Sequence, residues 1–169
     1  MYTVDEIEMR APLTACFHAG ADVERWPERL PHYRWVHFQR KERFGTGRVE
    51  MAARRPFGPL PYPVWWVSEM WLDEQRPTVH YRHMDGITRG MDVEWSFTDA
   101  GAGTTLVRIV HDWPEGPSWP LPTPGRRLIA DRIIGPIFIH HVASRTLRGI
   151  KSYVEASSGT AAPEARRRG

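Results

Sequence analysis

The sequence predicts one α+β domain in which a curved antiparallel sheet of seven strands wraps around a long C-terminal helix. Three observations lead there. A strand-like stretch opens the chain, six more separated by short turns fill its middle, and a segment of helical length closes it. At 169 residues the chain suits one hydrophobic core and is short for two.

Tyr2–Met9 alternates loosely, carries no breaker and reads as the first strand, ending before Ala11-Pro12. Pro12 suits the start of a helix, so Pro12–Ala19 and Asp22–Leu30 read as two short helices, the second with Asp22 as a cap and Pro31 as its stop. Strand signals then follow at Tyr33–Phe44, Arg48–Arg55, Val64–Asp73, Thr78–Met84, Met91–Thr98 and Thr104–Trp113. Gly45-Thr46-Gly47, Gln75-Arg76-Pro77, Asp85-Gly86 and Ala100–Gly103 supply the turn chemistry that hairpins need. Two proline-rich stretches, Pro56–Pro63 and Pro114–Pro124, read as stiff loops, either gates to a cavity or plain connections. Arg126–Glu155 reads as the long helix, kinked at Gly135-Pro136. The domain is expected to span 1–156, and 157–169, small, polar and basic, to be a disordered tail.

Alternation along each strand selects the side facing the helix. Val64, Trp66, Ser68, Met70 and Leu72 form the inward set of one strand, and Trp65, Val67, Glu69, Trp71 and Asp73 belong to its outer face. Met91, Val93, Trp95 and Phe97 alternate with polar residues; Val79, Tyr81 and His83 share the inward face of their strand, and Val107, Ile109, His111 and Trp113 that of the last. On the helix, Ile134, Ile137, Phe138, His141, Val142 and Arg145 recur at three- and four-residue spacing and are expected to cover the sheet. The expected ligand-contacting wall is therefore Trp66, Ser68, Met70, Tyr81, His83, Met91, Val93, Trp95, Ile109, His111, Trp113, Phe138 and His141.

Composition narrows the function classes. Hydrophobic residues are 41% and charged residues 25% of the chain, ordinary globular usage that argues against a disordered or fibrous protein. Eight tryptophans supply broad, rigid apolar surface suited to a large core or to the wall of a cavity for a flat ligand. The net charge of +3 is concentrated in Arg166, Arg167 and Arg168, and charges of both signs are mixed elsewhere, so no nucleic-acid partner is expected. Cys16 is alone and allows no internal disulfide. The acidic, alternating start lacks the form of a secretory leader, and the apolar run Ile133–Ile139 is too short to cross a membrane; the expected location is the cytoplasm.

Several stretches resemble the polyketide cyclase/dehydrase and START-like superfamily, also called SRPBCC: the opening strand running into Ala11-Pro12, and the segments Asp22–Tyr33, Gly86–Trp95, Val107–Trp113 and Thr146–Lys151. The likeness covers roughly Tyr2 to Glu155. It implies the helix-grip fold (START/Bet v 1-like) with a cavity between sheet and helix, used by relatives to cyclise and aromatise polyketides, to carry lipids or quinones, or to bind other apolar ligands. The stretch Arg89-Gly90-Met91 with Trp95 looks closer to the aromatase/cyclase-like members than to the coenzyme-Q-binding branch. No complete catalytic motif is present to carry over.

His83 and His111 are candidates for acid/base chemistry, because histidine titrates near neutral pH; the alternative is a pair of hydrogen-bonded core histidines. Tyr81 and Ser68 either orient a ligand oxygen or satisfy backbone groups. Arg145 either holds a carboxylate or phenolate or makes a surface ion pair. No metal site is expected: His80 and His83 point to opposite faces of a strand, and His140 and His141 diverge on a helix, leaving only a convergence of His83, His111 and His141. No cofactor is expected either. Trp65 and Trp71 mark a dimer surface, a membrane contact, a lid, or aromatics buried under a loop.

Three functions compete. The first is a non-catalytic binder of an aromatic polyketide-like molecule, lipid or quinone. The second is a polyketide cyclase/aromatase or dehydratase using His83, His111, Tyr81 or Arg145. The third is a START-like module that binds the ribosome or another protein through its basic tail, and it predicts that removing the residues after Ser157 weakens binding.

Overall fold

Alternating burial is what turns the middle of the chain into a sheet. Seven strands pair antiparallel throughout: β1 (Tyr2–Met9), β2 (Tyr33–Arg43), β3 (Thr46–Phe57), β4 (Leu60–Asp73), β5 (Thr78–Gly86), β6 (Asp92–Gly101) and β7 (Thr104–Asp112). Their spatial order is β1-β7-β6-β5-β4-β3-β2, so the chain's first strand closes the sheet beside its last. This computed structural model describes residues 1–57, 60–117, 124–125, 128 and 139–161.

Between β1 and β2 lie α1 (Leu13–Ala21), a 3-10 turn (Val23–Arg25) and α2 (Trp26–Arg29). The second helix expected from the sequence is thus split, and Pro27, which has no N–H to give, sits in the first turn of its second half. A bulge between Tyr33 and Trp35 shifts the inward set of β2, which runs from Tyr33 to Val36 while Trp35 is left at the surface.

The stretch Pro56–Pro63 is not the loop expected of it. β3 and β4 stay paired through Arg54↔Pro63, Pro56↔Pro61 and Phe57↔Leu60. Two facts make proline tolerable there. β2 pairs with β3 only as far as Ala53, and β5 with β4 only as far as Trp66, so the ribbon tip has no outer neighbour. Two prolines also face each other at Pro56↔Pro61, and the pair Arg54↔Pro63 lies two residues along, in the same alternating class, which exchanges no ladder hydrogen bonds.

The C-terminal helix, α3 (His140–Ala161), covers β1 and α1. Its inward face differs in phase from the sequence reading. Ala143, Thr146, Leu147, Ile150 and Val154 are buried, whereas Arg145 is exposed and His141 only half-buried. Small Ala143 and Thr146 let the helix axis approach the sheet, and that fixes the phase more strongly than the Ile133–Ile139 run from which the face was extrapolated. Ile134, Ile137, Phe138 and the expected kink at Gly135-Pro136 lie outside the described residues. Pro124, assigned to a loop from sequence, and Gly125 after it are helical. At the other end the helix continues to Ala161, into the stretch expected to be a disordered tail, with Ser157 Oγ donating to Tyr153 O at 2.9 Å. No described helix is long and apolar enough to cross a membrane.

Both ends of α3 are tied to β1. Near the C-terminal end, Lys151 Nζ donates to Glu8 O at 2.8 Å and Arg10 N donates to Glu155 Oε1 at 2.8 Å. At the N-terminal end, His140 Nδ1 meets Asp5 Oδ1, while Asp5 Oδ2 is buried without a hydrogen-bond partner among the described residues. Burial raises the Asp5 carboxyl above its ordinary 3.8, and His140 pulls it back only in part. A raised folded-state pKa means that stability is fully present below 3.8 and lost as pH rises through the folded value. Asp5→Asn is therefore expected to gain on the parent protein in thermal stability as pH climbs from below that range to neutrality. The opposite trend in melting curves would mean that the His140 pair dominates.

Candidate functional site

Register across β4 to β7 arranges the inward side chains in rows. Tyr81, Val93 and His111 stand side by side on β5, β6 and β7, and the next row along the strands holds Val79, Trp95 and Ile109. On the other side of Tyr81 comes His83, opposite Ser68. The concave face thus has a polar end and an apolar end, and both are covered.

Between this face and α3 lies a cavity of about 70 Å³. Its lining includes Trp66, Tyr81, His83, Val93, Trp95, Ile109 and His111 from the sheet and Val142, Ala143 and Thr146 from α3. A chain of rings surrounds it: Trp95 to Trp26 (5.6 Å between centroids), Trp26 to Tyr33 (5.0 Å), Tyr33 to Trp66 (6.2 Å) and Trp66 stacked on His83 (6.0 Å, 7° between planes). Ile87 is 39% exposed and also lines the cavity, which places a rim at the β5–β6 loop.

Most polar groups of the wall are fixed. His83 Nδ1 lies 2.6 Å from Thr88 Oγ1, and His111 Nδ1 lies 3.3 Å from Thr3 Oγ1. Thr146 donates to Val142 O at 2.8 Å and is met by His32 Nε2 at 2.9 Å. Behind the β5–β6 loop, Trp113 Nε1 donates to Arg89 O at 3.0 Å and holds the segment that carries Thr88. Tyr81 differs. The residue lines the cavity, and its hydroxyl is buried with no hydrogen-bond partner among the described residues. Burial, helped by Tyr33, pushes its pKa well above the ordinary value of 10.0, so at neutral pH it keeps its proton and can donate it.

No family model matches the sequence, and neither does any curated protein. Solved structures do match. The protein TTHA0849 from Thermus thermophilus superposes with a TM-score of 0.75 at 17% identity, over 94% of this chain and 99% of that one. The Zhui aromatase/cyclase from Streptomyces sp. R1128 gives 0.68 at 16% identity, over 92% and 93%. A START superfamily protein from Mycobacterium smegmatis gives 0.63 at 12% identity, over 94% and 97%. The chain has the START-like helix-grip fold.

Within this START-like frame the residues singled out from sequence divide into four groups. Trp66, Tyr81, His83, Met91, Val93, Trp95, Ile109 and His111 line the cavity. Ser68, Met70 and Trp113 are buried but are not among its lining residues. Trp113 lies just past the end of β7, and its indole nitrogen is spent on the β5–β6 loop. His141 and Arg145 line a separate surface cleft, which removes Arg145 from any chemistry in the cavity and His141 from a convergence with His83 and His111. Phe138 lies outside the described residues.

The sequence reading missed Trp26 and Tyr33, which come from α2 and the start of β2, and Met51 from β3, and it set Val64 of β4 inward but left it out of the wall. It also missed Thr88, the partner of His83, and Ala143 and Thr146 on α3. One signal was available: Trp26 is the one aromatic residue in a run, Asp22–Arg29, that is mostly charged. Trp65 and Trp71 stand on the outer face at 48% and 42% exposure.

Proposed function

We propose that the protein binds a hydrophobic, ring-bearing small molecule in the cavity between sheet and α3, with a ligand oxygen at the Tyr81 hydroxyl. The observation that carries this reading is the unpartnered hydroxyl itself. A buried O–H without a partner costs about 1–3 kcal/mol, and a tyrosine there is hard to account for by packing alone, since phenylalanine would fill the same space. A ligand oxygen satisfies it. The aromatic ring chain supplies flat apolar contacts around that point, and the aromatase/cyclase among the similar structures is consistent with a ring-shaped ligand.

The size of the cavity qualifies what it takes. At about 70 Å³ it is smaller than the roughly 150 Å³ that admits benzene in an engineered core. A ligand of one ring or more therefore requires side chains of the wall to move, and Ile87 at the rim and Trp66 are the large groups placed to do so.

A direct test compares 2-naphthol with naphthalene by tryptophan fluorescence titration. The parent protein is expected to prefer the naphthol by about fivefold, one ordinary hydrogen bond, and Tyr81→Phe to bring the two affinities together. The same substitution is expected to raise unfolding stability by about 1 kcal/mol, because it removes an unsatisfied buried group. A loss of stability with no change in ligand preference would assign the tyrosine to the core alone.

A second reading, a cyclase or dehydratase, is favoured by His83 and His111 in the same wall. With Thr88 fixing one ring nitrogen, His83 is oriented to take a proton from a carbon next to a carbonyl, and Tyr81 to donate to the developing enolate oxygen. Binding predicts affinity without turnover; cyclisation predicts that a poly-β-ketone probe loses water in the presence of the protein and that His83→Ala abolishes this loss.

A further inference from the structure

A second concavity lies on the outer side of α3. It is an open cleft of about 400 Å³ between the Leu30–His32 turn and one stripe of the helix. His141, Arg145 and Arg148 follow one another at four and three residues, so they share that stripe. Leu30 and Gly149 form the floor. A Cβ on Gly149 would stand 2.3 Å from Leu30 Cδ2, so the turn presses directly on the helix backbone and the floor is apolar and fixed. The end wall is His32, held by the 2.9 Å contact of its Nε2 with Thr146.

The charge of this cleft is one-sided. Among the described residues its lining contains two arginines, two histidines and no carboxylate. Several arginines elsewhere on the surface stand against acids: Arg29 with Asp22 at 3.1 Å, Arg25 with Glu28 at 3.0 Å, Arg82 with Asp92 at 3.5 Å. Arg145 has no ion-pair partner among the described residues, and the guanidinium of Arg148 reaches Ser144 Oγ at 3.3 Å. Two exposed guanidinium forks on one helix stripe, over a rigid apolar floor, present more donors than a single carboxylate can accept. They suit a tetrahedral oxyanion of higher charge.

We propose that this cleft binds a phosphate group, carried either by a soluble phosphate ester or by a phospholipid headgroup. The site is separated from the cavity by the His32–Thr146 contact, and the proposal stands whether or not the cavity takes a hydrophobic ligand.

The test follows the arginine Nε–Hε resonances of the full chain during titration with inorganic phosphate and pyrophosphate, with chloride at matched ionic strength as the control. Saturable shifts at Arg145 and Arg148 are expected with the phosphates and not with chloride. The double variant Arg145→Glu/Arg148→Glu, whose positions are exposed and whose melting temperature should be unchanged, is expected to lose saturation. Arg82→Glu, exposed on β5 and outside the cleft lining, should keep it. A parallel arm measures co-sedimentation with phosphatidylglycerol/phosphatidylcholine vesicles: binding lost in the double variant but kept in Arg82→Glu identifies a headgroup, and phosphate binding without vesicle binding identifies a soluble ester. Linear or absent shifts together with no variant-sensitive vesicle binding, or saturation that survives in the double variant, would overturn the proposal.

Discussion

Trp113→Ala is expected to lower the unfolding free energy by about 3–5 kcal/mol in urea denaturation. The side chain is fully buried, so truncation leaves a cavity that the surrounding strands can close only in part. It also strands Arg89 O, which accepts the indole N–H at 3.0 Å. That carbonyl belongs to the β5–β6 loop, and the loop presents Thr88 to His83. Loss of Trp113 is therefore expected to loosen the polar end of the cavity although Trp113 does not line it. Trp113→Phe separates the two effects: it keeps most of the packing, forfeits the hydrogen bond and is expected to cost about 1–2 kcal/mol. Equal losses in the two variants would mean that the bond to Arg89 is what matters.

Trp66→Ala is expected to act in opposite directions on stability and on binding. Trp66 is 8% exposed, stacks on His83 and adjoins Tyr33 in the ring chain, so its truncation should cost about 3–5 kcal/mol. The same truncation removes one of the tryptophan rings that line a cavity of about 70 Å³. Affinity for a two-ring probe such as 2-naphthol is expected to rise by an order of magnitude or more relative to phenol. A variant that loses stability and gains nothing for the larger probe would show that the rings form a closed core and not a yielding wall.

Much of the sheet was legible because each strand is half-buried with a period of two. Met91, Val93, Trp95 and Phe97 alternate with polar residues, and that alternation survives folding unchanged. The turn read at Asp85-Gly86 lies one step later, at Ile87–Gly90: β5 runs on through Gly86, where a Cβ, at φ +92°, would meet Trp65 O of β4 at 2.5 Å and only glycine fits. The phase of α3 was not legible. Its approach to the sheet depends on small Ala143 and on Thr146, whose hydroxyl turns back to Val142 O, and neither residue looks like a core anchor in a hydrophobicity pattern. Arg145 and His141 were assigned inward in consequence and lie on the outer cleft. The paired prolines at Pro56↔Pro61 were read as loop, because proline signals a break unless the neighbouring strands are known to stop short.

The cavity was legible in its ring content and not in its volume. A sequence shows how many rings face inward, but the void between them depends on how closely the helix sits and on which rings tilt toward each other. Trp26 and Tyr33 belong to the ring chain only because α2 and the bulge in β2 bring them over Trp95 and Trp66.

The most direct test of the central claim is a fluorescence titration of the parent protein and of Ala143→Phe with 2-naphthol, with urea denaturation run on both. Ala143 lines the cavity from α3, and a phenyl ring there occupies the space the ligand needs. Saturable one-site binding in the parent that disappears in a folded Ala143→Phe variant is the predicted result. Binding that is absent in the parent, or that persists unchanged in a folded variant with the cavity filled, would contradict the claim that this cavity is where a small molecule is held.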